Sequence, residues 1–196
     1  MSMVVLVSGG IDSTVISLLA TQQGVITYPL FIDYGQLSAD AEWEACQALH
    51  ARLQLPSPQR LEISGFGKLM PSGLTSTKLR INEDAFLPCR NLLFIVAASS
   101  YAFTKGAETV AIGLLDKEKP IFPDQTAPFL LAAEAAVTAA LGRKIHVVAP
   151  LLALSKAEVM AIARDQAIEG TYSCHSGEKQ PCGKCISCTE QRLATG

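Results

Sequence analysis

Ser8-Gly9-Gly10-Ile11-Asp12-Ser13-Thr14 decides how this chain is read. In front of it runs Met3-Val4-Val5-Leu6-Val7, an unbroken apolar stretch of the kind that forms a buried strand. Behind it, Val15-Ile16-Ser17-Leu18-Leu19-Ala20 reads as helix. A glycine-rich turn therefore joins the carboxyl end of a strand to a helix N-terminus, where free backbone N–H groups and the positive end of the helix dipole face an anion. Gly9 and Gly10 permit positive φ and let a phosphate approach the backbone. Ser13 and Thr14 add hydroxyl donors. The phosphate loop of kinases and GTPases carries a lysine before its Ser/Thr, and here Asp12 stands in that place. A carboxylate among phosphates calls for a cation between them, and Mg²⁺ is the cation expected. The plainer alternative is an ordinary strand-to-helix turn capped by Ser or Asp.

Working outward, the first helix ends near Gly24. Val25 to Asp33 reads as a second strand, followed by a turn at Tyr34-Gly35-Gln36. Ala39 to about Leu53 is helical by the spacing of Trp43, Cys46, Leu49 and Leu53. Arg60 to Ile63 is a short third strand. Residues 64–87 have no period and read as a long loop, and such loops are usually functional. Asn91 to Phe103 is a buried helix and Thr109 to Ile112 a fourth strand. A second irregular stretch runs through Ala127, and Pro128 fits the first turn of a helix reaching Leu141. Ile145 to Ala149 is the fifth strand, and Ser155-Lys156-Ala157-Glu158 is a capping box. Strands alternating with helices predict a doubly wound, parallel five-stranded α/β sheet over residues 1–168. Ligands of such sheets bind outside the carboxyl ends of the strands.

The chain has 196 residues, 49% of them apolar, and a net charge of −2, enough for a full core and without the basic stripe of a nucleic-acid binder. Its apolar runs are too short to span a bilayer, and Met3–Val7 is too short for a signal peptide. A cytoplasmic location is expected, with no membrane and no direct nucleic-acid partner. A reducing compartment disfavours disulfides among the six cysteines. Cys174, Cys182, Cys185 and Cys188 make a C-x7-C-x2-C-x2-C cluster in a tail, residues 169–196, rich in Ser, Gly and Lys. Four thiolates at this spacing close tetrahedrally around Zn²⁺, leaving no open position, so the metal would be structural. Two disulfides or four free thiols are the alternatives. Cys46 reads as core.

With both motifs in hand, the loop resembles the Ser-Gly-Gly-x-Asp-Ser signature of the PP-loop ATP pyrophosphatases, an adenine nucleotide α-hydrolase-like fold. These enzymes cleave ATP between the α- and β-phosphates. Nearly the whole chain is similar to the 7-cyano-7-deazaguanine synthase family of that superfamily. Val7 through Thr14 matches its ATP loop, and Phe31-Ile32-Asp33-Tyr34-Gly35-Gln36 resembles its Phe-x-Asp-Tyr-Gly-Gln segment. Leu87-Pro88-Cys89-Arg90-Asn91 resembles its Val-Pro-Gly-Arg-Asn stretch, and Phe122-Pro123-Asp124 its Tyr-Pro-Asp. Leu154-Ser155-Lys156 matches a PP-loop lysine motif, and the four cysteines match the family's zinc ligands. Departures cluster on the substrate side. Leu37-Ser38 replace Arg-His, Cys89 replaces a glycine, and Gln125-Thr126 replace Cys-Arg.

The resemblance implies that ATP activates 7-carboxy-7-deazaguanine, that ammonia displaces AMP to give an amide, and that a second activation yields the nitrile. It implies a homodimer. Ser8, Gly9, Gly10, Ser13 and Thr14 would cradle the pyrophosphate, Val7 and Ile11 would complete the ATP-binding loop, and Asp12 would hold Mg²⁺. Adenine would lie at Ile32 and Asp33. Lys156 would reach the phosphates, unless it is a solvated first-turn lysine. Arg90 would grip the α-phosphate or the substrate carboxylate, unless it forms a surface ion pair. Asp124 would accept from a guanine-like edge, unless it caps a helix. Cys89 is expected to be a small buried residue rather than a nucleophile. The altered positions leave open two other readings: a diverged enzyme joining an acid to another acceptor, such as a protein, and a nucleotide-binding module without turnover.

Overall fold

The computed structural model describes residues 1–115 and 122–195. The centre of the second irregular stretch, residues 116–121, lies outside them. Five strands, β1 (Ser2–Val7), β2 (Ile26–Asp33), β3 (Gln59–Glu62), β4 (Thr109–Ala111) and β5 (His146–Val148), form one parallel sheet in the order β3-β2-β1-β4-β5. The strand order reverses between β1 and β4, so the carboxyl ends of these two strands open a crevice.

Successive strand residues face opposite sides of the sheet. Val4 and Leu6 therefore join one core with Leu30, Ile32, Val110 and Ile145, covered by α4 (Arg90–Lys105) and α5 (Ala127–Leu141). Val5, Val7 and Phe31 join the other, covered by α1 (Ile11–Gln22), α2 (Ala39–Arg52) and α6 (Lys156–Asp165). Cys46, expected in the core, is buried there. This double covering is why the strands read as continuous apolar runs.

Local chemistry sets the helix ends. Thr126 accepts from Phe129 N–H at 3.3 Å with Pro128 in the first turn of α5, and Gly142 closes that helix at φ +60°. The Ser155–Glu158 capping box forms as expected: Ser155 Oγ accepts from Glu158 N–H at 3.3 Å, and Ser155 N–H donates to Glu158 Oε2 at 2.7 Å.

Two helices depart from the sequence expectation. The long loop holds a short helix, α3 (Gly65–Leu69), and the cysteine-rich tail ends in α7 (Ile186–Thr195). Helix α7 is short and carries few apolar residues, and Leu193 is 76% exposed, so it has little core burial to announce it. Packing against α6 holds it instead. No helix among the described residues is long and apolar enough to cross a membrane.

Candidate active site

The loop after β1 is fixed by contacts that only glycine permits. Gly9 has φ +74°, and a Cβ there would lie 2.5 Å from the Glu42 carbonyl oxygen and 2.9 Å from the Cys46 nitrogen. Gly10 caps α1 with extended backbone. Ser13 Oγ receives the Ser8 N–H at 3.2 Å. The Thr14 hydroxyl folds back to the Gly10 carbonyl at 2.8 Å and is buried, so it stays inside the helix and does not face a ligand.

The crevice holds a cavity of about 320 Å³ lined by Val7, Ser8, Gly10, Ile11, Asp12, Ser13, Ile32, Arg90 and Lys156. Gly113, after β4, closes in on α1: a Cβ there would stand 3.3 Å from the Asp12 Cβ. A second chamber of about 290 Å³ adjoins the first, and Asp12, Gly113, Gln125, Lys156 and Glu190 line both. Lys156, at the start of α6, donates from Nζ to Asp12 Oδ1 at 2.7 Å and Oδ2 at 2.9 Å across this boundary. The chain thus brings one cation and one carboxylate from opposite ends of the sequence to the loop's mouth.

Gly9, Thr14, Asp33 and Asp124 do not line the cavity. Asp33 Oδ1 accepts from Gly35 N–H at 2.9 Å and Oδ2 from Arg60 Nη2 at 2.6 Å, so its carboxylate serves the turn and β3. Asp124 Oδ2 accepts from the Asn91 backbone N–H at 3.4 Å, and its carbonyl takes Asn91 Nδ2 at 3.0 Å. The aspartate therefore sits at the α4 N-terminus, where its charge meets the helix dipole. Cys89 corrects an expectation. It is exposed, at φ +60°, as the cap residue before α4. The family pattern places glycine there because the backbone needs positive φ, a requirement of conformation and not of space.

Several lining residues had no motif to announce them. Tyr34, Gln36 and Glu42 form one wall. Glu42 Oε1 accepts from Ser38 Oγ at 2.7 Å and Oε2 from Gln36 Nε2 at 3.0 Å. Gln36 is itself held, taking Tyr34 N–H at 3.0 Å and giving Nε2 to Ile32 O at 3.4 Å. Burial pushes the Glu42 carboxyl up to about 7, against the opposing pull of the Gln36 and Ser38 hydrogen bonds and the Arg90 charge. The Arg90 guanidinium lies 5.8 Å from the Tyr34 ring centre and 6.0 Å from that of Phe94. Its Nε is buried without a partner.

The tail forms the roof of the cavity. Tyr172 N–H donates to the Gly9 carbonyl at 2.9 Å, and Tyr172, Ser173, His175, Ile186, Ser187 and Glu190 line the cavity. Asn82 Nδ2 ties the long loop to the Lys184 carbonyl at 2.9 Å. Burial, with the Arg90 charge, lowers His175 to about 4, so the imidazole is neutral. The Sγ atoms of Cys174, Cys182, Cys185 and Cys188 lie within 4.8 Å of one another, and all four are free thiols. A tetrahedron with metal–sulfur bonds of about 2.3 Å needs sulfurs roughly 3.8 Å apart, so this cluster fits a metal with small adjustment. Cys182 N–H donates to Cys174 Sγ at 3.2 Å. Burial raises the Cys174 thiol, but hydrogen bonds from Cys182 and Ser176 outweigh it and bring it down to about 6, towards the thiolate a metal takes.

The family described as "Queuosine biosynthesis protein QueC" matches residues 2–195. This chain belongs to the QueC family. A 7-cyano-7-deazaguanine synthase 2 of Desulfitobacterium hafniense strain Y51 is 34% identical, over 95% of this chain and 84% of that protein. A 7-cyano-7-deazaguanine synthase of Campylobacter concisus is 28% identical, over 94% and 89%. Among solved structures, a 4-thiouridine synthetase in complex with RNA and ATP superposes with a TM-score of 0.57 at 16% identity, covering 99% of this chain and 50% of that one. That likeness carries the fold. The QueC chain here has the parallel five-stranded PP-loop architecture with a four-cysteine cluster able to hold a metal. Its relatives are named as synthases, and an ATP-using synthase of the QueC type is what the family and the loop together support.

Proposed function

We propose that this protein is an ATP-dependent adenylating synthase that converts 7-carboxy-7-deazaguanine and ammonia to the amide and then to 7-cyano-7-deazaguanine, a carbon–nitrogen ligase that releases AMP and pyrophosphate. One observation carries this reading. A Ser-Gly-Gly-x-Asp-Ser loop opens, at the point of strand-order reversal, onto a cavity of about 320 Å³ lined by two cations, Arg90 and Lys156.

The substrate carboxylate oxygen attacks the α-phosphorus of ATP, and pyrophosphate leaves with the electrons of the broken P–O bond. The first-turn N–H groups of α1, with Ser8 and Ser13, bind the pyrophosphate and hold it in line. Lys156 balances the charge that grows on the leaving group, and the planar fork of Arg90 orients the carboxylate or the α-phosphate. Adenine lies along Ile32. Asp12 would hold Mg²⁺, which when bound offsets phosphate charge. The four cysteines would hold Zn²⁺, which fixes the roof that Tyr172 to His175 place over the loop. Asp124 supports the site by anchoring α4, and so Arg90.

A second reading follows from Ser38, Cys89 and Gln125, which depart from the family pattern on the substrate side, with Gln125 lining both chambers. On that reading adenylation stays and the acceptor is a different amine, such as one on a protein. Isotope exchange between pyrophosphate and ATP tests the shared step. Exchange that requires 7-carboxy-7-deazaguanine and vanishes in Asp12→Ala supports adenylation. Exchange that ignores the acid, or survives Asp12→Ala undiminished, refutes it.

A further inference from the structure

The proposed reaction contains a proton problem that the motifs leave unsolved. Ammonia reaches the site mostly as ammonium near neutral pH, and ammonium has no lone pair with which to attack. Some group must take its proton. The loop's own carboxylate is already assigned to Mg²⁺, and in this structure Asp12 takes Lys156 Nζ on both oxygens. Asp33 is committed to Arg60 and Gly35. His175 belongs to the tail that roofs the cavity, next to Cys174.

We propose that Glu42 is the proton acceptor for the amine that displaces AMP from the adenylated acid. This rests on the adenylation reading above. Glu42 lines the main cavity together with Ser8, Gly10 and Ser13 of the loop, and its backbone packs against Gly9. Its oxygens are held by neutral donors, Ser38 Oγ and Gln36 Nε2, which fix the rotamer and leave each oxygen a further lone pair. Gln36 is pinned in turn by Tyr34 N–H and Ile32 O, so the acceptor is preorganised. Ser38 stands where the family pattern has histidine, so in this chain the second donor to Glu42 is a hydroxyl.

The charged and titratable groups around Glu42 are Asp33 and Tyr34 at the end of β2, Arg90 from α4, Tyr172 from the tail and Cys46 on its own helix. Burial and Asp33 raise the carboxyl while Arg90 and the two hydrogen bonds lower it, and the balance lies at about 7. That value suits a base working near neutrality.

Ammonium gives one proton to the Glu42 carboxylate. The freed nitrogen lone pair forms the C–N bond at the acyl carbon. The C–O bond to AMP breaks, and AMP leaves with its electron pair. The nitrogen sheds a second proton to water, and the amide remains. Glu42 then returns its own proton to solvent.

The test measures acid-dependent pyrophosphate–ATP exchange and amide formation in wild type, Glu42→Gln and Ser38→Ala, across pH at fixed total ammonium. Glu42→Gln should keep exchange within about threefold and slow amide formation by roughly 10²-fold or more, the usual effect of losing a general base. In wild type the amide step should gain rate through about pH 7, and that inflection should be missing in Glu42→Gln. Ser38→Ala removes a donor to the carboxylate, so its inflection should move to higher pH. This variant keeps Glu42 and carries the test alone if Glu42→Gln does not fold. Amide formation undiminished in Glu42→Gln, exchange lost in step with amide formation, or an inflection unmoved in Ser38→Ala would each overturn the proposal. Wild type without exchange would instead remove the adenylation reading, and this proposal with it.

Discussion

Replacing Gly9 by alanine probes the loop with a built-in control. The residue sits at φ +74°, a conformation that costs an L-residue about 1–2 kcal/mol. Its added Cβ would also lie 2.5 Å from Glu42 O and 2.9 Å from Cys46 N, both backbone atoms of α2. Neither can swing aside, so α2 must shift from the loop, an overpacking cost of about 1–3 kcal/mol. The sum is about 2–5 kcal/mol, a large part of a typical domain's stability. Gly24 supplies the comparison. It has nearly the same φ, +73°, with nothing within 4 Å of its Cβ position. Gly24→Ala should therefore cost only the conformational part, about 1–2 kcal/mol. Urea denaturation of both variants reads the difference, which is the close approach of α2 to the loop. Nucleotide binding should weaken in Gly9→Ala and not in Gly24→Ala. Equal destabilisation of the two, or unweakened nucleotide binding in Gly9→Ala, would refute the claim that α2 clamps this loop.

Three further outcomes follow from the same geometry. Cys89→Gly should stabilise the chain by about 1 kcal/mol in the same assay, because the exposed cap residue at φ +60° loses strain and no buried contact. The Glu42 carboxyl is raised in the folded chain, so its contribution to stability is full at acid pH and is lost as pH rises from 4.5 through about 7. The urea midpoint of Glu42→Gln, taken relative to wild type, should accordingly rise over that range. Elemental analysis should find about one equivalent of a thiolate-binding metal per chain. Its removal by a chelator should lower α7 helicity in circular dichroism and weaken ATP binding, since the tail hydrogen-bonds to Gly9.

The sheet and its loop were legible in the sequence because their signals are local. Continuous apolar runs mark doubly covered strands, and a glycine pair between strand and helix marks an anion site. The cysteine cluster was legible because metal chemistry fixes ligand type and spacing. What escaped was set by tertiary contact. Glu42 looks like any helix-surface glutamate until Gly9, Gln36 and Ser38 close around it. Helix α7 has few apolar residues to bury, and α6 supplies its support. Asp124 reads equally as a ligand acceptor or a helix anchor, and only the position of the Asn91 N–H separates the two. Cys89 misled because residue type reveals size and not backbone angle. The tail, marked off by composition, serves in the fold as the roof of the cavity.

The most direct measurement is mass spectrometry of the products formed from ATP, 7-carboxy-7-deazaguanine and ammonium. The account predicts AMP and pyrophosphate together with the amide and then the nitrile, all absent with Asp12→Ala. ATP left intact, or cleaved to ADP and phosphate, would contradict it.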